Sequence, residues 1–117
     1  MWLKTDYIEL PEQEKLCSRP NTSCSYIHKR IGLNRYERRL AVITEDGQMV
    51  VYKYFLLGIT AGLPLIGRVY DLTQLKDKKI RFEKKAIHIR LWTKDNKKIT
   101  FRLASPEEQI LLPAFLE

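Results

Sequence analysis

The sequence contains little cysteine, glycine or proline, and it has no long apolar run. Two cysteines, five glycines and five prolines among 117 residues exclude a disulfide-rich scaffold, a collagen-like chain and a flexible linker. No stretch approaches the roughly 18 consecutive apolar residues of a membrane-spanning helix, and residues 1–10 lack the features of a signal peptide. With 44% hydrophobic and 30% charged residues, the composition predicts one globular, cytoplasmic domain.

The motifs that accompany enzymatic chemistry are also missing. Cys17 and Cys24 have no histidine nearby and fit neither a zinc site nor a CxxC pattern. We expect free thiols. The alternatives are a local disulfide or a site of lipid attachment, for which the sequence has no recognisable acylation or prenylation signal. His28 and His88 are isolated in the sequence, and there is no phosphate-binding glycine loop or nucleophile elbow. The sequence therefore predicts a protein that is not an enzyme and needs no cofactor or metal.

The positive charge is unevenly distributed. Lys and Arg total 21 against 14 Asp and Glu, which gives a formal charge of +7. Residues 1–24 contain three basic and four acidic side chains, whereas residues 25–117 contain 18 and 10. We interpret residues 1–24 as a leader or an extra packed segment, and residues 25–117 as the domain. The charge favours anionic partners such as phosphoinositides, membrane surfaces or nucleic acid.

Alternating and turn-forming residues predict an antiparallel β domain. The β-rich runs 40–43 and 49–52 flank Asp46 and Gly47, a strong hairpin signal. Apolar residues alternate with polar ones over 87–92 and again over 99–103, and the basic segment 94–98 separates the two runs. This period of two predicts a second hairpin with one buried face. The lysine-rich stretch 76–85 is typical of a solvated edge strand.

The C-terminal segment changes to a helical pattern. Ser105 and Glu108 have the spacing of a capping box, and Pro106 suits the first helical position. Pro113 lacks a backbone N–H, so we expect the helix to kink or tighten there. The predicted buried stripe consists of Ile110, Leu111, Ala114 and Phe115.

This order of strands closed by one C-terminal helix resembles the pleckstrin homology (PH) domain family. Segments 25–30, 37–44, 49–53 and 64–72 look like its first four strands, and 99–103 looks like its last strand. The resemblance implies a mainly β fold with one C-terminal helix: an antiparallel seven-stranded barrel or sandwich capped by an amphipathic helix.

The resemblance also implies a binding site for anionic phospholipid headgroups. In members that bind phosphoinositides, a lysine ends the first strand and a basic-x-Arg pair begins the second; Lys29 and Arg39 match, while Glu37 and Val51 depart from the pattern. A loop from the last hairpin would complete a cationic rim at the same end of the barrel. The predicted headgroup-binding residues are Lys29, Arg30, Arg35, Arg38, Arg39, Lys94 and Lys97.

An uncharged stretch, residues 54–67, lies in the connection between the third and fourth strands. Beside a basic rim, an apolar loop could contact a membrane or a protein partner, although burial against the domain is the alternative. The contact candidates are Leu56, Leu57 and Ile59. We therefore expect a cytoplasmic, peripheral-membrane recruitment module. The alternative is a PH-like protein-interaction scaffold without lipid binding, and nucleic acid ranks third as a partner.

Overall fold

The computed structural model describes residues 7–53 and 65–116, which form an antiparallel sheet and two short helices. The elements are β1 Ile8–Glu9, α1 Gln13–Cys17, β2 Ser23–Gly32, β3 Arg35–Ile43, β4 Gln48–Tyr52, β5 Ile66–Asp71, β6 Leu75–Phe82, β7 Ile87–Thr93, β8 Lys98–Leu103 and a C-terminal 3₁₀ helix Glu108–Phe115. The eight strands of the described residues follow the order β1-β5-β4-β3-β2-β8-β7-β6 in an open, sandwich-like arrangement. This confirms the mainly β fold with one C-terminal helix, with β1 as an extra short strand.

Both predicted hairpins form, and their turns share one local design. Each begins with a threonine whose hydroxyl bonds to the aspartate two residues later, Asp46 or Asp95. The same hydroxyl oxygen accepts the backbone N–H of the residue four positions on, at 3.2 Å in the first turn and 3.0 Å in the second. The residue after the aspartate has positive φ, 82° for Gly47 and 67° for Asn96. Glycine and asparagine tolerate that conformation, which explains the turn signals.

The main core lies between the inner faces of the strands and the C-terminal helix. Alternation buries Ile89 and Leu91 of β7 and Phe101 and Leu103 of β8 on one side. The closing helix adds Phe115, whose ring centroid lies 5.4 Å from that of Phe101. This packing confirms the period-two prediction for the second hairpin.

The C-terminal helix begins as predicted but has a different buried face. The backbone N–H of Glu108 donates to the Ser105 hydroxyl at 3.2 Å, and that hydroxyl donates back to the Glu108 carboxylate. Leu111 and Phe115 are buried, but Ile110 is 55% exposed and Ala114 is also exposed. The buried residues Glu108, Leu111 and Phe115 form a narrower stripe than the predicted one, and Ile110 and Ala114 fall on its exposed flanks.

A second, smaller core lies on the outer face of β3 and β4. Leu40, Val42, Val50 and Tyr52 pack there with Leu16 of α1. The Tyr52 hydroxyl donates a 2.7 Å hydrogen bond to the carbonyl of Pro11. The described part of the leader therefore covers an apolar sheet face that would otherwise meet water.

A disulfide joins Cys17, at the end of α1, to Cys24 in β2. The prediction of free thiols was therefore wrong, and the local-disulfide alternative is correct. The sequence spacing alone could not show that the chain reverses between the two cysteines and brings their Cα atoms to 5.9 Å.

The lysine-rich strand β6 lies at one edge of the sheet, as predicted, and pairs with β7. Exposed lysines on such an edge discourage pairing with another chain. At the opposite edge, the short strand β1 pairs with β5.

Candidate functional site

A cationic pocket of about 920 Å³ lies where β2 and β3 meet the ends of β4, β5 and β8. The sheet pattern explains its position. Ile27 is buried on the inner face of β2, and Lys29, two residues later, emerges on the same face where the apolar core ends. Among the residues that the structure describes, six basic side chains and one acidic side chain line the pocket: Lys29, Arg30, Arg39, Lys53, Arg68, Lys98 and Glu37.

Lys29 is the electrostatic centre of the pocket. Burial, and then the nearby guanidinium groups of Arg68 and Arg39, hold the pKa of Lys29 below its ordinary value. Partial desolvation and like charges both disfavour an ammonium ion. A bound anion would offset the repulsion between these like charges, so the pocket suits a ligand of high negative charge.

The far wall of the pocket combines cations with an aromatic ring. Tyr7 lies beneath the Nζ atom of Lys53, at 4.5 Å from the ring centroid, and the Cζ atom of Arg68, at 4.4 Å. The Nε atom of Arg68 is buried and has no hydrogen-bond acceptor among residues 7–53 and 65–116. This wall therefore brings two positive charges to one side of the pocket.

Glu37 introduces one negative charge into the pocket. Its Oε1 atom accepts a 3.2 Å hydrogen bond from Nη2 of Arg39. The carboxylate is 44% exposed, whereas the Arg39 side chain is 16% exposed. Glu37 thus partly neutralises Arg39 at a position that a ligand phosphate could reach.

The structure brings only some of the predicted headgroup-binding residues together. Lys29, Arg30 and Arg39 line the pocket, and Arg35 lines an adjoining recess. Arg38 instead lies on the outer face, 4.3 Å from the ring centroid of Tyr26.

The two predicted rim lysines lie in the turn between β7 and β8, outside the residues that line the pocket. Nζ of Lys97 donates to the carbonyl of Val69 at 2.9 Å and lies 3.4 Å from the Asp95 carboxylate. Lys94 is exposed, and its backbone N–H donates to the carbonyl of Gln74. The contact candidates Leu56, Leu57 and Ile59 fall outside the described residues.

Sequence reasoning missed part of the pocket. It did not identify Lys53 and Arg68. These residues flank the uncharged stretch, and that position was the sequence feature that could have placed them at the pocket. It also missed the apolar tip of the hairpin between β2 and β3, where Ile31 is 39% exposed and Leu33 is 80% exposed. Both of these side chains line the pocket beside its cations.

The histidines are not isolated as the sequence suggested. Nδ1 of His28 lies 3.0 Å from Oε1 of Glu108, and Nε2 of His88 lies 3.2 Å from Oε2 of Glu83. Both contacts join residues from different elements or across a turn, which sequence spacing did not show. Neither histidine lines the cationic pocket.

The PH domain family model matches residues 10–115, which include all the sheet strands except β1 and nearly all of the cationic pocket. The chain belongs to the PH domain family. PH domains are in general non-catalytic modules that bind lipids or proteins. In the described part of this PH domain, no helix is both long and apolar enough to span a bilayer.

This PH domain is also similar to an uncharacterized protein of Caenorhabditis elegans. The two are 34% identical over 101 residues, which cover 86% of this chain and 30% of the nematode protein. The chain therefore spans less than a third of the length of that relative.

Proposed function

We propose that this PH domain is a non-catalytic membrane-recruitment module that binds an anionic phospholipid headgroup, phosphoinositide or phosphatidic acid, in the cationic pocket. The main support for this proposal is that the half-buried Lys29 lies close to Arg39 and Arg68. Three cations held close together repel one another, and this repulsion opposes folding. A phosphorylated headgroup would offset the repulsion through charge-assisted hydrogen bonds to these cations.

The hairpin tip supports a membrane as the source of that phosphate. Ile31 and Leu33 expose apolar surface at the mouth of the pocket. Apolar side chains enter the bilayer interface while neighbouring cations meet anionic lipids, each contributing about 1 kcal/mol. A headgroup in the pocket and the hairpin tip in the interface would thus act together. The roles of Leu56, Leu57 and Ile59 in membrane or partner contact remain a prediction.

Liposome co-sedimentation tests the assignment with two charge-matched double variants. The pocket variant carries Lys29→Ala and Arg39→Ala. The control carries Arg81→Ala and Arg90→Ala, which remove the same charge from exposed positions of β6 and β7. We expect the pocket variant to lose binding to phosphoinositide or phosphatidic acid vesicles and the control to retain most of it.

Salt separates a formed site from diffuse attraction. Exposed charges are screened over about 8 Å at physiological ionic strength, whereas partly buried groups such as Lys29 are screened less. Headgroup binding should therefore persist at physiological salt. Equal losses in the pocket and control variants would mean that net charge alone attracts the vesicles, and unchanged binding in the pocket variant with an intact fold would reject the site.

The contact between Glu37 and Arg39 favours a second candidate, a protein-interaction module that does not bind lipid. The Glu37 carboxylate already accepts a hydrogen bond from Arg39, which weakens the attraction of the pocket for a phosphate. This candidate predicts no selective vesicle binding and a salt-insensitive protein complex that is lost on Leu56→Asp with Leu57→Asp. A complex that survives both substitutions would remove the apolar stretch as its contact surface.

A further inference from the structure

The pocket includes a side chain that precedes the residues matched by the family model. β1 pairs with β5 in an antiparallel register, with Ile8 opposite Gly67. The backbone N–H of Leu10 donates to the carbonyl of Leu65 at 2.8 Å and continues this pairing. The register therefore carries Tyr7 to the side of Arg68 at the pocket wall.

The close approach of this strand depends on Gly67. A Cβ atom at that position would lie 2.6 Å from Cδ1 of Leu10 and 2.3 Å from the carbonyl oxygen of Val51. Such contacts are too short for any larger residue without a backbone shift. Gly67 thus lets the N-terminal segment lie flat against β5, and the position of Tyr7 follows from this packing.

The Tyr7 ring contacts two cations that would otherwise repel each other. Lys53 Nζ and Arg68 Cζ lie 4.5 Å and 4.4 Å from its centroid. The negative face of an aromatic ring attracts cations within about 6 Å. The ring therefore restrains both side chains at the pocket wall, and Lys29 lies close to the guanidinium groups of Arg68 and Arg39.

We propose that Tyr7 is a positioning residue that holds Lys53 and Arg68 as a second phosphate-binding pair, so that the pocket prefers a headgroup carrying more than one phosphate group. This inference rests on the proposed function and specifies its ligand class. Lys29 and Arg39 would bind one phosphate, while Lys53 and the guanidinium group of Arg68 would bind the other. A pocket of about 920 Å³ has room for a phosphorylated inositol ring.

Two substitutions at Tyr7 that leave the net charge unchanged provide the test. The probes are phosphatidylcholine vesicles containing either a bisphosphorylated phosphoinositide or enough phosphatidylserine to match the surface charge. We expect Tyr7→Leu to weaken phosphoinositide binding by about fivefold, the effect of one cation–π contact, and to change phosphatidylserine binding less than about twofold. Tyr7→Phe keeps the ring face and should bind both vesicles like the wild type.

A double-mutant cycle with Arg68→Gln separates positioning from a general effect on the fold. If Tyr7 acts through Arg68, adding Tyr7→Leu to Arg68→Gln should cause clearly less than its fivefold loss in the wild-type background. A full additional loss in that background, or equal losses on both vesicle types, would indicate a structural role and overturn the proposal.

The two proposals fail in different ways. Wild-type protein that binds phosphoinositide vesicles, together with a Tyr7→Leu variant that binds them equally well, overturns only the role of Tyr7. Wild-type protein that binds neither phosphoinositide nor phosphatidic acid vesicles above the phosphatidylserine control overturns both. Selective binding to phosphatidic acid vesicles alone overturns only the preference for several phosphate groups.

Discussion

The pocket and the outer face of the sheet contain the same kinds of basic residue in different surroundings. In the pocket, Lys29 is half-buried and is repelled by the positive charges of both Arg68 and Arg39. On the outer face, Arg38 and Arg102 each lie 4.3 Å from a tyrosine ring centroid, and each pairs with a different ring. The outer cations are therefore held separately, while the pocket cations converge.

We expect convergence of the cations, rather than the amount of charge, to distinguish the proposed binding site from the outer face. Arg81 on the outer edge is 70% exposed and forms a 2.7 Å ion pair with Glu83. An ion pair so exposed to water contributes little to stability. Because its two charges are opposite, they largely cancel in the local potential. Within residues 7–53 and 65–116, the pocket lining has one carboxylate, Glu37, against six basic side chains, so the local potential stays positive.

The largest expected difference between the two regions comes from removing one guanidinium from each. Arg68→Gln should weaken phosphoinositide binding by about tenfold to a hundredfold, because charge-assisted hydrogen bonds contribute about 1.5 to 3 kcal/mol. Arg90→Gln removes the same charge from an exposed position of β7 and should cost less than about threefold. Vesicle titration measures both; similar losses would contradict the distinction between the regions.

Reducing the disulfide tests how strongly the leader stabilises the sheet face opposite the pocket. The bond between Cys17 and Cys24 closes a short loop between α1 and β2. Its loss should lower the free energy of unfolding by about 2 kcal/mol, mainly by freeing the unfolded chain. Denaturant unfolding with and without a reducing agent gives this value.

A Cys17→Ser, Cys24→Ser variant is the control for that measurement. It should match the reduced protein and should not respond to the reducing agent. If the reducing agent leaves the wild-type unfolding midpoint unchanged, the cysteines are not paired in solution.

Glu37 offers a smaller, opposite change. Glu37→Gln removes the carboxylate that engages Arg39, so headgroup binding should become about threefold to fivefold tighter, as expected for losing one repulsive charge near a phosphate. Glu83→Gln is the matched change on the outer face and should have little effect. Weaker binding by Glu37→Gln would mean that the carboxylate is needed to orient Arg39.

The smallest effect concerns the pH dependence around Lys29, whose pKa is lowered first by burial and then by Arg68 and Arg39. A phosphate favours the charged amine, so binding should weaken as pH rises through this lowered pKa. The stability of the free protein should show the opposite trend. Deprotonation of Lys29 removes the cost of holding a charged amine in a partly buried site, so its contribution to the free energy of unfolding increases with pH over that range.

Lys29→Arg retains its charge at alkaline pH and serves as the control. Vesicle binding by this variant should stay flat over the range in which wild-type binding declines. Parallel declines in the two proteins would assign the pH dependence to another group.

Much of the fold could be predicted because its signals are local. Asp46 with Gly47 and Asp95 with Asn96 define the two hairpin turns, and the alternation of residues 87–92 and 99–103 defines a buried face. Ser105 and Glu108 likewise interact within one turn. These features depend on neighbours a few residues apart, whose geometry follows from residue type.

The candidate site was only partly predictable because it joins distant segments. Lys29 and Arg39 could be named from the resemblance to the PH family, but Lys53, Arg68 and Tyr7 reach the pocket only through the pairing of β4, β5 and β1. A side chain projects into the pocket or away from it according to strand register, and a shift of one residue reverses that direction.

The sequence by itself determined the β fold, the main turns, the start of the closing helix and the excess of positive charge. Tertiary structure alone decided which cations converge, that the two cysteines pair, and that Tyr7 lies against Lys53 and Arg68. The physical reason is range: turn and periodicity signals act over a few residues, whereas burial and Coulomb interactions depend on distances that only long-range strand pairing sets.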